Sequence, residues 1–106
     1  MSQSVLEQLT ETIEARKSGS ASTSYTAKLL AGGVEAINAK IREESAELVE
    51  AATDGTDAEV VHEAADLVYH MLVLLAARDL RIADVDAELA RRFGTSGLEE
   101  KANRSK

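Results

Sequence analysis

Apolar residues recur at helical spacing in four stretches of this chain. Val5, Leu6, Leu9 and Ile13 fall on one face of a first helix. Ser4-Val5-Leu6-Glu7 reads as a capping box at its start, and Arg16 and Lys17 suit the dipole at its end, near Lys17. Tyr25 to Ala31 is a short helix closed by Gly32-Gly33. From Val34 to Ala52, at about 100° per residue, Ile37, Ile41, Leu48 and Ala52 form an apolar stripe. From about Ala58 to Arg78 the surface is wider and almost wholly apolar: Val60, Ala64, Leu67, Val68, Met71, Leu74 and Leu75. Arg78-Asp79-Leu80 is a turn, with Asp79 where a positive φ is needed. Ile82, Val85, Leu89 and Phe93 mark a last amphipathic helix, ended by Gly94. The dipole of that helix accounts for Arg91 and Arg92 in its final turn.

The pattern predicts an all-α fold, a bundle of four main helices plus one short helix. Residues 1–106 are enough for one domain, burying roughly two-thirds of its unfolded surface. The turn Thr53-Asp54-Gly55-Thr56 makes the two long helices antiparallel neighbours. The apolar surface of the Ala58–Arg78 helix exceeds what three short neighbours can cover, so the expected assembly is a homodimer with isologous contacts. Ser18 to Ser24 is a polar connection, or else a lid over a site. Thr95 to Lys106 is a polar tail that composition alone reads as disordered.

Charge singles out the middle of the chain. Between Glu43 and Asp66 stand nine acids and no Lys or Arg. The other 82 residues hold 10 acids against 12 bases, so the whole net charge of −7 arises in this segment. The acids are also patterned. Lys40, Glu44, Glu47 and Ala51 run along the edge of the first long helix's apolar stripe, with Glu43 and Glu50 farther toward solvent. Glu63, Asp66 and His70 form one stripe on the second. Packed antiparallel, Glu44 and Glu47 face Glu63 and Asp66. Four carboxylates at the edge of a core repel one another, and oxygen-only ligands suit a hard cation, Mg²⁺ or Mn²⁺. Such a cation commonly bridges carboxylates to a substrate's phosphates. The other reading of these acids is a solvated helix face. A histidine at position 70 is expected to support the site from the core side rather than bind metal.

Several classes are set aside by composition. With no Cys there is neither a disulfide scaffold nor a thiolate metal site. The first twenty residues carry three acids and no apolar core of a signal peptide. The most apolar run, Leu67 to Ala77, is too short to span a bilayer and contains His70. An acidic chain with no basic cluster is not expected to bind nucleic acid. The expected location is cytoplasmic.

Glu43-Glu44-Ser45-Ala46-Glu47 followed by Glu63-Ala64-Ala65-Asp66 resembles the Glu-Glu-x-x-Glu … Glu-x-x-Asp signature of the MazG-like all-α nucleoside triphosphate pyrophosphohydrolases. Three further stretches narrow the resemblance to the phosphoribosyl-ATP pyrophosphatase family of histidine biosynthesis. They are Ser24-Tyr25-Thr26-Ala27-Lys28-Leu29-Leu30, the run from Ala65 to Leu75, and Ser96-Gly97-Leu98-Glu99-Glu100-Lys101-Ala102. The resemblance covers about Leu6 to Arg104. It implies a homodimeric, Mg²⁺-dependent hydrolase that releases pyrophosphate from phosphoribosyl-ATP. Its metal ligands would be Glu44, Glu47, Glu63 and Asp66, and Glu43 or Glu47 would orient or deprotonate the attacking water. Lys28, Lys101 and Arg104 would contact substrate phosphates. Lys40 would do the same, or else serve as a salt-bridge partner. Two alternatives stand beside this reading: a house-cleaning pyrophosphohydrolase of another (deoxy)nucleoside triphosphate, and a non-catalytic helical interaction module. The chain is too short for the cyclohydrolase domain that such proteins sometimes carry.

Overall fold

The computed structural model describes residues 3–19, 24–94 and 96–104. Among these residues there are five α-helices and no strand: α1 (Val5–Arg16), α2 (Tyr25–Asp54), α3 (Asp57–Ala77), α4 (Ile82–Arg91) and α5 (Gly97–Arg104). Ser4 caps α1, its hydroxyl accepting from the Glu7 amide at 3.1 Å. The glutamate half of the expected capping box is absent, because the Glu7 carboxylate turns to the Ser4 hydroxyl instead. The full reciprocal box is at α3: Thr56 accepts from the Glu59 amide, and Glu59 accepts from the Thr56 amide.

The short helix and the first acidic helix of the sequence pattern run on as one element, α2, broken at Gly33. There φ is 78° and ψ is −176°, a conformation open in practice only to glycine. At the far end Gly55 closes α2 by donating its amide to the Ala51 carbonyl at 2.8 Å. A Cβ on Gly55 would come within 2.9 Å of that same oxygen. The two-residue link Gly55-Thr56 then sends α3 back along α2, and this antiparallel pair is the body of the molecule. Asp79 takes the positive φ expected of it, 59°, and accepts a hydrogen bond from Lys17 Nζ at 2.8 Å, tying the α3–α4 turn to the end of α1.

Ile13, Leu29, Ile37, Leu72, Val73, Ala76 and Ile82 form the core, one contribution or more from each of α1 to α4. The packing is tightest at one end of α3. Toward its start Val61 is 68% exposed and Val60, Ala64, Leu67 and Val68 are only half-buried. By length and composition alone α3 is long and apolar enough to cross a membrane, and only 22% of its most apolar 18 residues is buried in this chain. The run Leu67–Ala77 understated this, because the helix continues ten residues upstream. The same helix carries Glu63, Asp66 and a buried His70.

The C-terminal stretch departs from its composition. Residues 97–104 are helical, with Ser96 Oγ accepting from the Glu99 amide at 3.0 Å. Of the expected polar loop Ser18–Ser24, residues 20–23 lie outside the described residues, as do 95, 105 and 106 of the tail.

Candidate metal centre

The α2–α3 hairpin brings the acidic stripes together. Glu44, Glu47 and Glu63 each offer a carboxylate oxygen within 4.8 Å of the other two. The fourth expected ligand, Asp66, is grouped with Glu63 and His62 by the same measure, so Glu63 links the two sets. His62 was not singled out by the sequence pattern. It is exposed, and its Nε2 lies 3.3 Å from Asp66 Oδ2, one helical turn away. Only the i, i+4 spacing could have pointed to it.

Glu44 lies deeper than an edge position would place it, at 7% exposure. Glu44 shares a helix face with Ile37, two turns earlier and fully buried, and stands 3.9 Å from the buried His70 of α3. One oxygen of Glu44, Oε2, and one of Glu63, Oε2, are buried without any hydrogen-bond partner. Burial first, then a hydrogen bond shared with Glu47 and the Glu47 charge, push the Glu44 carboxyl above the ordinary carboxylate range. The hydrogen bond shared with Glu47, followed by burial, holds Glu63 up at about 7. Two carboxylates offer each other no donor, so without a cation one of them must hold a proton between them. A divalent cation relieves both conditions by giving the orphaned oxygens a partner and removing the repulsion. The donor set is therefore a fit for a hard, oxygen-seeking ion.

Beside the trio opens a cleft of about 290 Å³ whose lining includes Glu47, Glu50, Asp54, Glu59 and Glu63 and no base. A polyanion cannot approach such a wall unless cations neutralise it.

The basic candidates are placed more diversely. Lys40 is half-buried and pairs with Glu43 at 3.4 Å, so Glu43 stands outside the trio, on the solvent side. Lys28 is exposed on the first turns of α2. Lys101 and Arg104 lie in the last turn of α5, on the solvent surface.

His70 is buried on the core side, but its chief partner was not foreseen. Nε2 lies 2.8 Å from the Tyr25 hydroxyl, and Nδ1 lies 2.9 Å from the Asp66 carbonyl and 3.9 Å from Glu44 Oε1. Tyr25 and Tyr69 both meet the imidazole edge-on. Next to Tyr25, Thr26 hydrogen-bonds the Tyr69 hydroxyl, so two consecutive residues of α2 grip two consecutive residues of α3. Forty-five residues separate Tyr25 from His70, and no local spacing could announce the pair.

Residues 6–93 match the family model described as phosphoribosyl-ATP pyrophosphohydrolase. The chain belongs to this family. Curated relatives cover almost all of it. A protein of Parvibaculum lavamentivorans named phosphoribosyl-ATP pyrophosphatase is 56% identical over 95% of this chain and 93% of its own length. Proteins of the same name from Cereibacter sphaeroides and Trichlorobacter lovleyi are 54% and 53% identical, over 95% and 96% of this chain and 98% and 94% of theirs. For this member of the phosphoribosyl-ATP pyrophosphohydrolase family, the match spans both acidic motifs and the Tyr25 segment.

Proposed function

We propose that this chain hydrolyses phosphoribosyl-ATP to phosphoribosyl-AMP and pyrophosphate, the second step of histidine biosynthesis, in the cytoplasm. The observation that carries the reading is the trio Glu44, Glu47 and Glu63, with its two orphaned oxygens, in a chain that belongs to this family over nearly its full length.

Glu44, Glu47, Glu63 and Asp66 would hold Mg²⁺. When bound there, Mg²⁺ neutralises triphosphate charge and makes phosphorus more electrophilic. The chain's own residues do the rest. Glu47 sits between Glu44 and Glu63 and is the better placed of the two candidates to orient or deprotonate the water. Glu43 is held outward by Lys40. Water attack breaks the link between the α- and β-phosphoryl groups, and the departing pyrophosphate carries away negative charge. Lys28, Lys101 and Arg104 take up part of that charge, and Lys40 screens the approach past Glu43. The partly exposed face at the start of α3, Val60, Val61, Ala64 and Val68, is covered by a second copy in a homodimer.

Incubating the protein with Mg²⁺ and phosphoribosyl-ATP, and separately with a panel of nucleoside triphosphates, tests the reading. Selective pyrophosphate release from phosphoribosyl-ATP is expected. Equal or faster turnover of deoxynucleoside triphosphates would instead make this a house-cleaning enzyme. Light scattering at micromolar concentration should return twice the monomer mass, and a stable, active monomer would remove the dimer.

A further inference from the structure

We infer that Tyr25 and His70 are a positioning couple for the metal centre, setting which oxygen of Glu44 is presented to the cation. The inference rests on the reading of Glu44, Glu47 and Glu63 as metal ligands.

A backbone carbonyl only accepts, so the 2.9 Å contact from His70 Nδ1 to the Asp66 carbonyl places the ring proton on Nδ1. Nε2 of the neutral ring is then an acceptor, and the Tyr25 hydroxyl donates to it across 2.8 Å. The two contacts select the same tautomer from opposite sides of the ring. The ring has little freedom to turn, since it is 5% exposed and lies edge-on to both Tyr25 and Tyr69. The Nδ1 hydrogen is committed to the Asp66 carbonyl, and Glu44 Oε1 stands 3.9 Å from Nδ1, packed against the edge of this fixed ring and beyond hydrogen-bond reach. The other oxygen, Oε2, is buried with no hydrogen-bond partner. The fixed ring thus backs one oxygen of Glu44 by packing, while the other is left without a donor. Neither Tyr25 nor His70 need touch substrate or metal.

Second partners that orient a ligand are commonly worth about 10- to 100-fold in metal affinity. Mn²⁺ titration of the substrate-free protein, followed by the loss of the free-ion paramagnetic resonance signal, reads the couple without turnover. His70→Leu should bind Mn²⁺ at least tenfold more weakly than wild type. His70→Asn, which returns an N–H donor near the Nδ1 position, should recover most of that loss. Tyr25→Phe, at a half-exposed ring that the fold tolerates, should weaken binding about fivefold, the size of one neutral hydrogen bond. In kinetics the three variants should raise the Mg²⁺ requirement and leave the KM for nucleotide at saturating Mg²⁺ little changed. Nitrogen-15 spectra of the wild-type ring should show a pyrrole-type Nδ1 and a pyridine-type Nε2. The reversed pattern, or wild-type Mn²⁺ affinity in both His70→Leu and Tyr25→Phe, would overturn the inference while leaving the metal centre standing. If wild type itself takes up no Mn²⁺, the metal reading fails, and the couple's role fails with it.

Discussion

Glu44 and Glu63 face each other from α2 and α3, and each buries one carboxylate oxygen that no donor reaches. An unpartnered buried carboxylate oxygen is costly to a fold, and Glu47 beside them relieves the repulsion only where a proton is held between the carboxyls. Such an arrangement trades stability for function. Replacing Glu47 with Gln keeps the shape, removes one charge and supplies an N–H donor. In EDTA, Glu47→Gln should melt at or above wild type. At a Mg²⁺ concentration of a hundred times Kd, wild type should gain about 2.7 kcal/mol. For a domain of this size that is roughly 10–20 °C in Tm. The variant should lose most of this gain, and hydrolysis with it. Melting curves of wild type and variant that respond identically to Mg²⁺ would return the acids to a solvated surface.

The same two acids set a pH dependence whose sign is unusual for carboxylates. Glu63 is held at about 7 in the fold, chiefly by the hydrogen bond shared with Glu47, and Glu44 is raised mainly by burial. The folded state thus keeps protons that the unfolded chain releases near 4.5. Stability falls as pH rises through that window. The penalty is absent below the unfolded value and complete above the folded one. Glu88, held down at about 2 by hydrogen bonds from Arg91 and Arg92, loses its stabilising effect only in stronger acid. In EDTA the Tm should therefore decline between pH 5 and pH 8. Glu63→Gln or saturating Mg²⁺ should flatten the decline. A Tm that rises with pH over this range would contradict the shared-proton arrangement.

The hairpin was legible because two independent periodicities agree on it. Apolar residues mark the faces of α2 and α3, and acids at spacings of three and four mark the neighbouring stripe. From that, Glu44, Glu47 and Glu63 could be brought together on paper. The depth of Glu44 could not, because a helical wheel does not say how closely two helices approach. Ile37 and His70, on the same side as Glu44, are both buried. Tyr25 stands in the sequence pattern only as a helix start and as part of the Ser24–Leu30 resemblance, since its contact depends on a partner 45 residues away. For α5, composition argued against order, and only the resemblance of Ser96 to Ala102 argued for it. The structure sides with the latter.

Gly33 interrupts α2 at a φ of 78° with ψ at −176°, a region where any Cβ is strained, although open space surrounds the position. Gly33→Ala should cost about 1–3 kcal/mol through backbone strain alone. The segment Tyr25–Gly32 depends on this break for its path back to α3, where Tyr25 and Thr26 meet His70 and Tyr69. Thermal melts should show the loss, and Mn²⁺ affinity should fall with it. A variant as stable as wild type would mean that α2 accommodates a different bend.

The last prediction concerns the exposed end of the chain. Lys101 and Arg104 lie on the last turn of α5, outside the core. A pair of cations there adds little to folding, because exposed charges are strongly screened. The triphosphate of the proposed substrate is an anion that two exposed cations would attract. Replacing both with Ala should leave the unfolding free energy within about 0.5 kcal/mol of wild type, the usual range for surface changes. KM should rise about tenfold or more, as expected when charged hydrogen bonds to a ligand are lost at about 1.5–3 kcal/mol each. The rise in KM should shrink as salt is added, because wild type then loses the same attraction. A kcat that falls in parallel would mean that the two cations act in the transition state rather than in binding. An unchanged KM at low salt would remove α5 from the substrate site altogether.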